Sequence, residues 1–240
     1  MGDTLSAKRR GELSELAARL GVEFADLTLL HQALIHSSYA NEAKEKNIVH
    51  NERLEFLGDA VLELASSTYL YMHFPQMPEG QLTKTRASIV CSTSLAELAR
   101  TLHLGDYLLL GHGEEMSGGR DRQTNLEDVF EAVIGAIYLD RGWDTAKDYV
   151  VRQLMPLFKQ VEQGAILKDY KTILQELVYQ DASQNVSYEL VGTSGPDHDK
   201  TFTFNVLITG KVMGTGTGRS KKEAEQQAAK EALAKIAPTR

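Results

Sequence analysis

Acidic residues recur at helical spacing in two segments of this chain, and their types and positions could support metal chemistry. Glu52, Glu55 and Asp59 lie at positions i, i+3 and i+7, which places their carboxylates on one face of a predicted helix. Asp128 and Glu131 repeat the i, i+3 spacing in a second segment. Carboxylate oxygens are the ligands of hard cations, so this pattern favours an ion such as Mg²⁺ or Mn²⁺.

Neither acidic segment contains a basic residue that could neutralise it. Lys and Arg are absent from Glu55 to Met72 and from Leu126 to Asp140. A solvated acidic face is the common form of such a row, but apolar residues surround most of the first helix, which predicts a buried helix. Buried carboxylates are unfavourable unless they are paired. Either a distant Arg or Lys or a cation must therefore approach them, and a cation held beside a phosphodiester could hydrolyse it.

The elements that must position these acids are predicted to be helices throughout residues 1–158, with no convincing alternating strand. The longer predicted helices cover about Asn51–His73, Gly80–Leu102, Leu126–Asp140 and Thr145–Phe158. A glycine-rich stretch from Gly111 to Gly119 interrupts this pattern. The polar stretch 159–168 has no hydrophobic period, which predicts a linker.

The hydrophobic period changes after the linker, so residues 169–238 form a second predicted domain. A helix over Tyr170–Gln180 is followed by three strands with alternating apolar residues and by a final helix, Lys221–Ile236. The predicted fold is therefore an all-α domain followed by an α+β domain of order α-β-β-β-α.

Composition separates the two domains by charge and limits the function classes. The net charge is −7, yet residues 168–240 hold 10 basic and 9 acidic residues, so the acidity lies in the first domain. No apolar run approaches the length of a membrane span, and the polar start gives no sign of an export signal. Cys91 is the single cysteine, which excludes an internal disulfide or a multi-cysteine zinc site and fits a reducing cytoplasm.

The acidic helix also carries a recognisable motif. The run His50-Asn51-Glu52-Arg53-Leu54-Glu55-Phe56-Leu57-Gly58-Asp59-Ala60-Val61-Leu62 resembles the signature helix of the ribonuclease III family. The resemblance continues through Pro78-Glu79-Gly80, through Gly113-Glu114 with Ser117-Gly118-Gly119, and through Asp128-Val129-Phe130-Glu131-Ala132. It covers nearly the whole chain and matches the bacterial, two-domain form.

The resemblance implies roles for the acids. Four of them match the metal-binding carboxylates of the family: Glu55, Asp59, Asp128 and Glu131. Asp59 and Glu131 are the two expected to be essential for hydrolysis. Three further acids match positions that line the same cleft in supporting roles: Glu52, Glu79 and Glu114.

The resemblance further implies a homodimer in which two catalytic domains form one valley, with an active site near each end. Phe56 matches a residue that packs into a socket on the partner subunit; without the resemblance it would be interpreted as a core phenylalanine. Cleavage of double-stranded RNA in the family leaves a 5′-phosphate and a 3′-hydroxyl. Ribosomal RNA precursors and structured messenger RNAs are the expected substrates.

The second domain resembles a double-stranded-RNA-binding domain. Ser220 and Glu223 form a capping box, so Lys221 and Lys222 fall in the first turn of the last helix, where an RNA phosphate could bind. The alternative is that both lysines are only solvated. By resemblance, further RNA contacts are expected from Thr172, Gln175, Glu176 and His198. A catalytically inactive RNA-binding protein and a helical hydrolase of small phosphates are the two rival interpretations.

Overall fold

The computed structural model describes residues 5–43, 48–163, 170–179, 183–196 and 200–236, apart from the side chain of Glu176. It divides the chain into two compact units, Met1–Ile166 and Leu167–Arg240. Within the described residues, the first unit is helical and the second contains a three-stranded sheet with a helix on either side in the chain order. The predicted fold class is confirmed. No described helix has both the length and the apolar content of a membrane span.

The first unit is built on two long helices, α4 and α9. Its helices α1 to α9 are Ala7–Leu20, Leu27–Ala33, Ser37–Glu42, Glu52–His73, Glu79–Ile89, Ser92–Thr101, Leu104–Tyr107, His112–Met116 and Gln123–Glu162. The apolar run after Glu131 places Val133, Ile134 and Ile137 in the core, where α9 packs against α4 more extensively than against any other described element. The acids of α4 and α9 are therefore carried by the best-packed pair in the unit.

The single helix predicted over Gly80–Leu102 is wrong, because two helices occupy this range. Helix α5 ends at Ile89, and Cys91 has extended backbone angles before α6 begins at Ser92. The sequence from Val90 to Ser94 is rich in β-branched and short polar residues, which disfavour a helix interior.

The predicted linker over 159–168 is also wrong in its first part, since α9 extends to Glu162. Val161 follows Phe158 at helical spacing and is buried, so the hydrophobic period continues past residue 158. The break predicted between Asp140 and Thr145 does occur: Gly142 has φ 79° and ψ −178°, which interrupts the helical geometry of α9.

Helix α4 is buried on one side only, whereas the apolar residues around most of its circumference predict a buried helix. Leu54, Val61 and Leu62 face the core, whereas Phe56 and Tyr71 are 79% and 71% exposed. One side of the helix is therefore an apolar surface that the described residues of the first unit leave uncovered.

The second unit packs its sheet closely against its last helix. Helix α10 spans Tyr170–Val178, strands β1 to β3 span Val186–Ser194, Thr201–Ile208 and Lys211–Gly218, and helix α11 spans Lys221–Ile236. The strands form an antiparallel sheet in the order β1-β2-β3. Gly214 and Gly216 of β3 lie so close to the α11 backbone that a Cβ at either position would overlap it. Alternating glycines therefore let the alanine-rich helix dock on the strand.

Candidate functional site

Two glycines set the distance between α4 and α9 where the acids lie. A Cβ on Gly58 would overlap the carbonyl oxygen of Glu131, and one on Gly135 would overlap that of Leu54. The two backbones therefore touch at this crossing. Asp59 directly follows Gly58 in α4, so it is held next to the turn of α9 that carries Glu131.

The acids of α9 have raised pKa values, as expected for carboxylates that are partly buried and close to one another. Burial, followed by the negative charges of Asp59 and Glu127, raises the pKa of Glu131 to about 8. Burial, followed by the charges of Glu127 and Glu52, raises the pKa of Asp128 to about 6. Both groups are therefore destabilised as anions unless a positive charge approaches them.

The acids of α4 show the same effect. Burial raises the pKa of Glu55 to about 7, with Asp128 as the strongest charge acting on it. Burial and the charge of Glu63 raise the pKa of Asp59, while Arg86 opposes the rise. The sequence-predicted acids of the two helices are thus brought into one electrostatic group.

Neutralising partners are scarce around this group. Arg86 lies 3.7 Å from Glu63, but among the described residues no ion pair joins Lys or Arg to Glu55, Asp128 or Glu131. The same part of the chain contains no three acidic, histidine or cysteine side chains already grouped to hold a metal ion. A cation would therefore have to draw these side chains together. Oxygen donors, unpaired negative charge and raised pKa values fit a hard divalent ion.

The three supporting acids occupy different surroundings. Glu52 begins α4, is exposed, and acts through its charge on Glu55 and Asp128. Glu79 begins α5 and accepts a hydrogen bond from Thr83 Oγ1 at 2.9 Å; it lines a separate cavity between α4 and α5. Within one chain, only Glu52 therefore lies with the metal-binding candidates.

Glu114 is held by partners of its own. Its Oε1 accepts hydrogen bonds from Arg122 at 2.5 Å and from the buried amide of Asn125 at 2.7 Å. These two donors hold the pKa of Glu114 below its ordinary value. Glu114 thus joins α8 to the start of α9, the helix that carries two of the candidate ligands.

The second unit presents a polar helix face and a basic helix end. Thr172 and Gln175 are half-buried on α10; Glu176 lies on the same helix, and His198 lies outside the described residues. Ser220 Oγ accepts the backbone N–H of Glu223 at 3.1 Å, which confirms the predicted cap of α11. Lys221 and Lys222 follow it and are both exposed.

Comparison with known proteins identifies both units. A family model described as "Ribonuclease-III-like" matches residues 26–157, and one described as "Double-stranded RNA binding motif" matches residues 170–236. A protein named "Ribonuclease 3" from Pelotomaculum thermopropionicum is 54% identical over 224 residues, which are 93% of each chain. The chain belongs to the ribonuclease III family.

Further ribonuclease III proteins resemble the chain at similar levels. The "Ribonuclease 3" of Halalkalibacterium halodurans is 50% identical over 96% of this chain and 87% of that protein. A solved nuclease domain of ribonuclease III from Campylobacter jejuni is 41% identical, with a TM-score of 0.56, over 61% of this chain and 99% of that domain. The structure of that domain concerns a region involved in dimer formation.

Ribonuclease III enzymes are metal-dependent endoribonucleases, so this chain is an enzyme of that class and acts on double-stranded RNA.

Sequence reasoning found the acids through their spacing. It missed Glu127, the sequence neighbour of Asp128. The charge of Glu127 is the third-largest cause of the raised pKa of Glu131, behind burial and the charge of Asp59. It also missed the spacing role of Gly58, although a glycine inside a strong helix was a visible signal.

Proposed function

We propose that this ribonuclease III hydrolyses duplex RNA with Mg²⁺, or alternatively Mn²⁺, and leaves 5′-phosphate and 3′-hydroxyl ends. Precursors of ribosomal RNA and structured messenger RNAs are the proposed substrates. The supporting observation is the group of carboxylates at the α4–α9 crossing, whose raised pKa values call for a cation. The free thiol of Cys91 supports the reducing cytoplasm as the place of this activity.

Each acid has a proposed role at this crossing. Glu55, Asp59, Asp128 and Glu131 would hold the ion, and Asp59 and Glu131 would be essential for hydrolysis. A bound divalent ion would supply an activated water at neutral pH and would stabilise the leaving oxygen. Glu52 contributes negative charge from the first turn of α4. Glu114 supports the site indirectly, since its bonds to Arg122 and Asn125 fix the entry to α9.

RNA is proposed to bind the second unit through α10 and the start of α11. Lys221 and Lys222 would meet a phosphate at the helix end, where the free N–H groups also favour an anion. Thr172, Gln175 and Glu176 would contact the minor groove, and His198 the next one. Domains of this type recognise A-form shape and 2′-hydroxyls more than sequence, so a near-neutral unit with a few placed lysines suffices.

A homodimer is proposed to complete the valley. Phe56, Leu64 and Tyr71 follow one another at about two helical turns, and all three are exposed. If two copies of α4 pair antiparallel around Leu64, Phe56 of each copy reaches the Tyr71 end of the other, as a two-fold interface requires. A region involved in dimer formation is described for the Campylobacter jejuni nuclease domain, and this supports a dimer of the first unit.

The Tyr71 end of α4 offers a socket for that phenylalanine. A cavity of about 190 Å³ lies between α4 and α5 and is lined by Ser67, Leu70, Tyr71, Glu79, Leu82, Thr83 and Arg86. A cavity of about 150 Å³ accommodates a benzene ring, so the size suits a phenyl group. Because Phe56 is the neighbour of Glu55, its insertion would bring Glu79 of the partner subunit towards the carboxylate group. The dimer thus explains how Glu79 could line the cleft.

The central test is cleavage of a long RNA duplex with Mg²⁺ by wild type and by Glu131→Ala. We expect the variant to bind the duplex as wild type does and to lose cleavage, because an essential carboxylate is gone. Glu97→Ala, which removes an exposed acid of α6, is the control and should cleave normally. Equal cleavage by Glu131→Ala and wild type would remove Glu131 from the mechanism. Binding without cleavage by the wild type itself would favour the alternative of an inactive RNA-binding protein.

A further inference from the structure

Glu127 lies beside the candidate metal ligands but belongs to none of the sets assigned above. It directly precedes Asp128 in α9 and stands one helical turn before Glu131. Side chains at i and i+4 of a helix share one face, with Cβ atoms about 5–6 Å apart. Glu127 is half-buried, and its spacing places it on the same face of α9 as Glu131.

The charge of Glu127 reaches every one of the four candidate ligands. Burial is the first cause of each raised pKa, and Glu127 is a further cause at Glu55, Asp59, Asp128 and Glu131. No other acid in the described part of the chain acts on all four. The helix position and the electrostatic coupling therefore agree that Glu127 borders the centre of the group.

Glu127 differs from Glu63, the other acid without an assigned role. Glu63 lies 3.7 Å from Arg86, so a positive charge offsets it, and among the four ligands it acts on Asp59 alone. Within the described residues, no Lys, Arg or His forms an ion pair with Glu127. A like-charged pair at i and i+4 destabilises a helix. In the metal-free protein Glu127 is therefore unfavourable, and a divalent ion would reverse this.

We propose that Glu127 acts as a fifth carboxylate of the cation site and strengthens divalent-ion binding by its charge. This inference rests on the proposed function. It assigns Glu127 to metal affinity and leaves hydrolysis to Asp59 and Glu131. A unit charge about 6 Å from a doubly charged ion, at the high dielectric of a solvated surface, changes the affinity by about tenfold, and a lower dielectric would increase the effect.

The test is calorimetric titration of the full chain with MnCl₂ in the absence of RNA. Glu127→Gln should bind Mn²⁺ at least about tenfold more weakly than wild type, because the shape is kept and the charge is lost. Glu127→Asp should stay within about threefold of wild type, since it keeps the charge. Glu97→Gln, an exposed acid of α6, is the control and should bind Mn²⁺ as wild type does.

A thermal melt in EDTA separates this role from a packing role. Relief of repulsion should make Glu127→Gln at least as stable as wild type without metal, while its affinity for Mn²⁺ falls. Equal Mn²⁺ affinity of Glu127→Gln and wild type overturns the inference, and so does a loss in Glu127→Asp as large as that in Glu127→Gln. A wild type that binds no Mn²⁺ and cleaves no RNA would overturn the proposed function as well.

Discussion

At the scale of single residues, the site is a set of acids whose ionised forms are disfavoured in the folded chain. Burial and neighbouring carboxylates raise the pKa of Glu131 to about 8 and that of Glu55 to about 7. A bound cation would offset both causes, since its positive charge would stabilise the ionised carboxylates. Metal binding should therefore release protons near neutral pH.

Glu131→Gln should stabilise the metal-free protein in a pH-dependent way. Between about pH 4.5 and 8 the folded protein keeps a proton on Glu131 that the unfolded chain has released, so rising pH destabilises the wild type across this window. The gain from glutamine should be near zero at pH 4.5 and complete above pH 8. After allowance for solvent screening, we expect about 1–2 kcal/mol.

Thermal melts in EDTA from pH 4.5 to 9 measure this gain, with Glu97→Gln as the control. At the highest pH the Tm should rise by about 2–6 °C in Glu131→Gln, whereas the control should not depend on pH in this way. A gain of the same size at all pH values would show that the raised pKa of Glu131 is not its source.

The sequence identified the acids of this site because helical spacing is a local property. It could not show how Glu114 is held, because Arg122 and Asn125 meet it only through the fold of the loop between α8 and α9. Spacing alone also could not show that Glu79 lies in a different place from the other acids, because the cavity that it lines is formed by two helices.

At the scale of elements, the crossing of α4 and α9 positions the site. The two helices approach until their backbones touch, and Gly58 and Gly135 are the residues that permit this. A larger residue at either point would separate the helices and move the acids of one away from those of the other.

Gly58→Ala should therefore destabilise the first unit and weaken the binding of Mn²⁺. The added methyl group meets the carbonyl of Glu131 rather than a flexible side chain, so we expect a loss of at least about 3 kcal/mol in the free energy of unfolding. Gly11→Ala in α1 is the matched control. Nothing lies within 4 Å of its added Cβ, so alanine should stabilise the protein by about 0.5–1 kcal/mol.

Chemical denaturation of both variants measures the difference. A Gly58→Ala variant as stable as Gly11→Ala would contradict the close crossing. The sequence predicted both helices, because their apolar residues recur with the right period. It did not predict the break at Val90–Cys91, where low helix propensity ends α5 within a pattern that still looked helical.

At the scale of the whole molecule, the exposed side of α4 is the feature that one chain cannot explain. Its apolar residues predicted a buried helix, because a sequence pattern shows that a face is apolar but does not show which surface covers it. We propose that Phe56, which is 79% exposed, enters the cavity beside Tyr71 of a second copy of the chain.

Phe56→Ala should weaken that dimer by at least about 30-fold, since a buried aromatic anchor contributes about 2–4 kcal/mol. Sedimentation velocity over a concentration series measures the change, and Val191→Ala, an exposed apolar residue of the second unit, is the control. If Glu79 of the partner subunit joins the site, the loss of the dimer in Phe56→Ala should also lower the rate of RNA cleavage. An unchanged dimer in Phe56→Ala would place the interface elsewhere.

The most direct test asks whether acids of the two helices share one divalent ion. Mn²⁺ affinity is measured by calorimetry for wild type, Asp59→Asn, Glu131→Gln and the double variant. Each single variant should bind at least about tenfold more weakly, and the double variant should lose clearly less than the product of the two losses, because either change disrupts the same site. Unchanged affinity in both single variants, or two fully independent losses, would contradict a shared ion at the α4–α9 crossing.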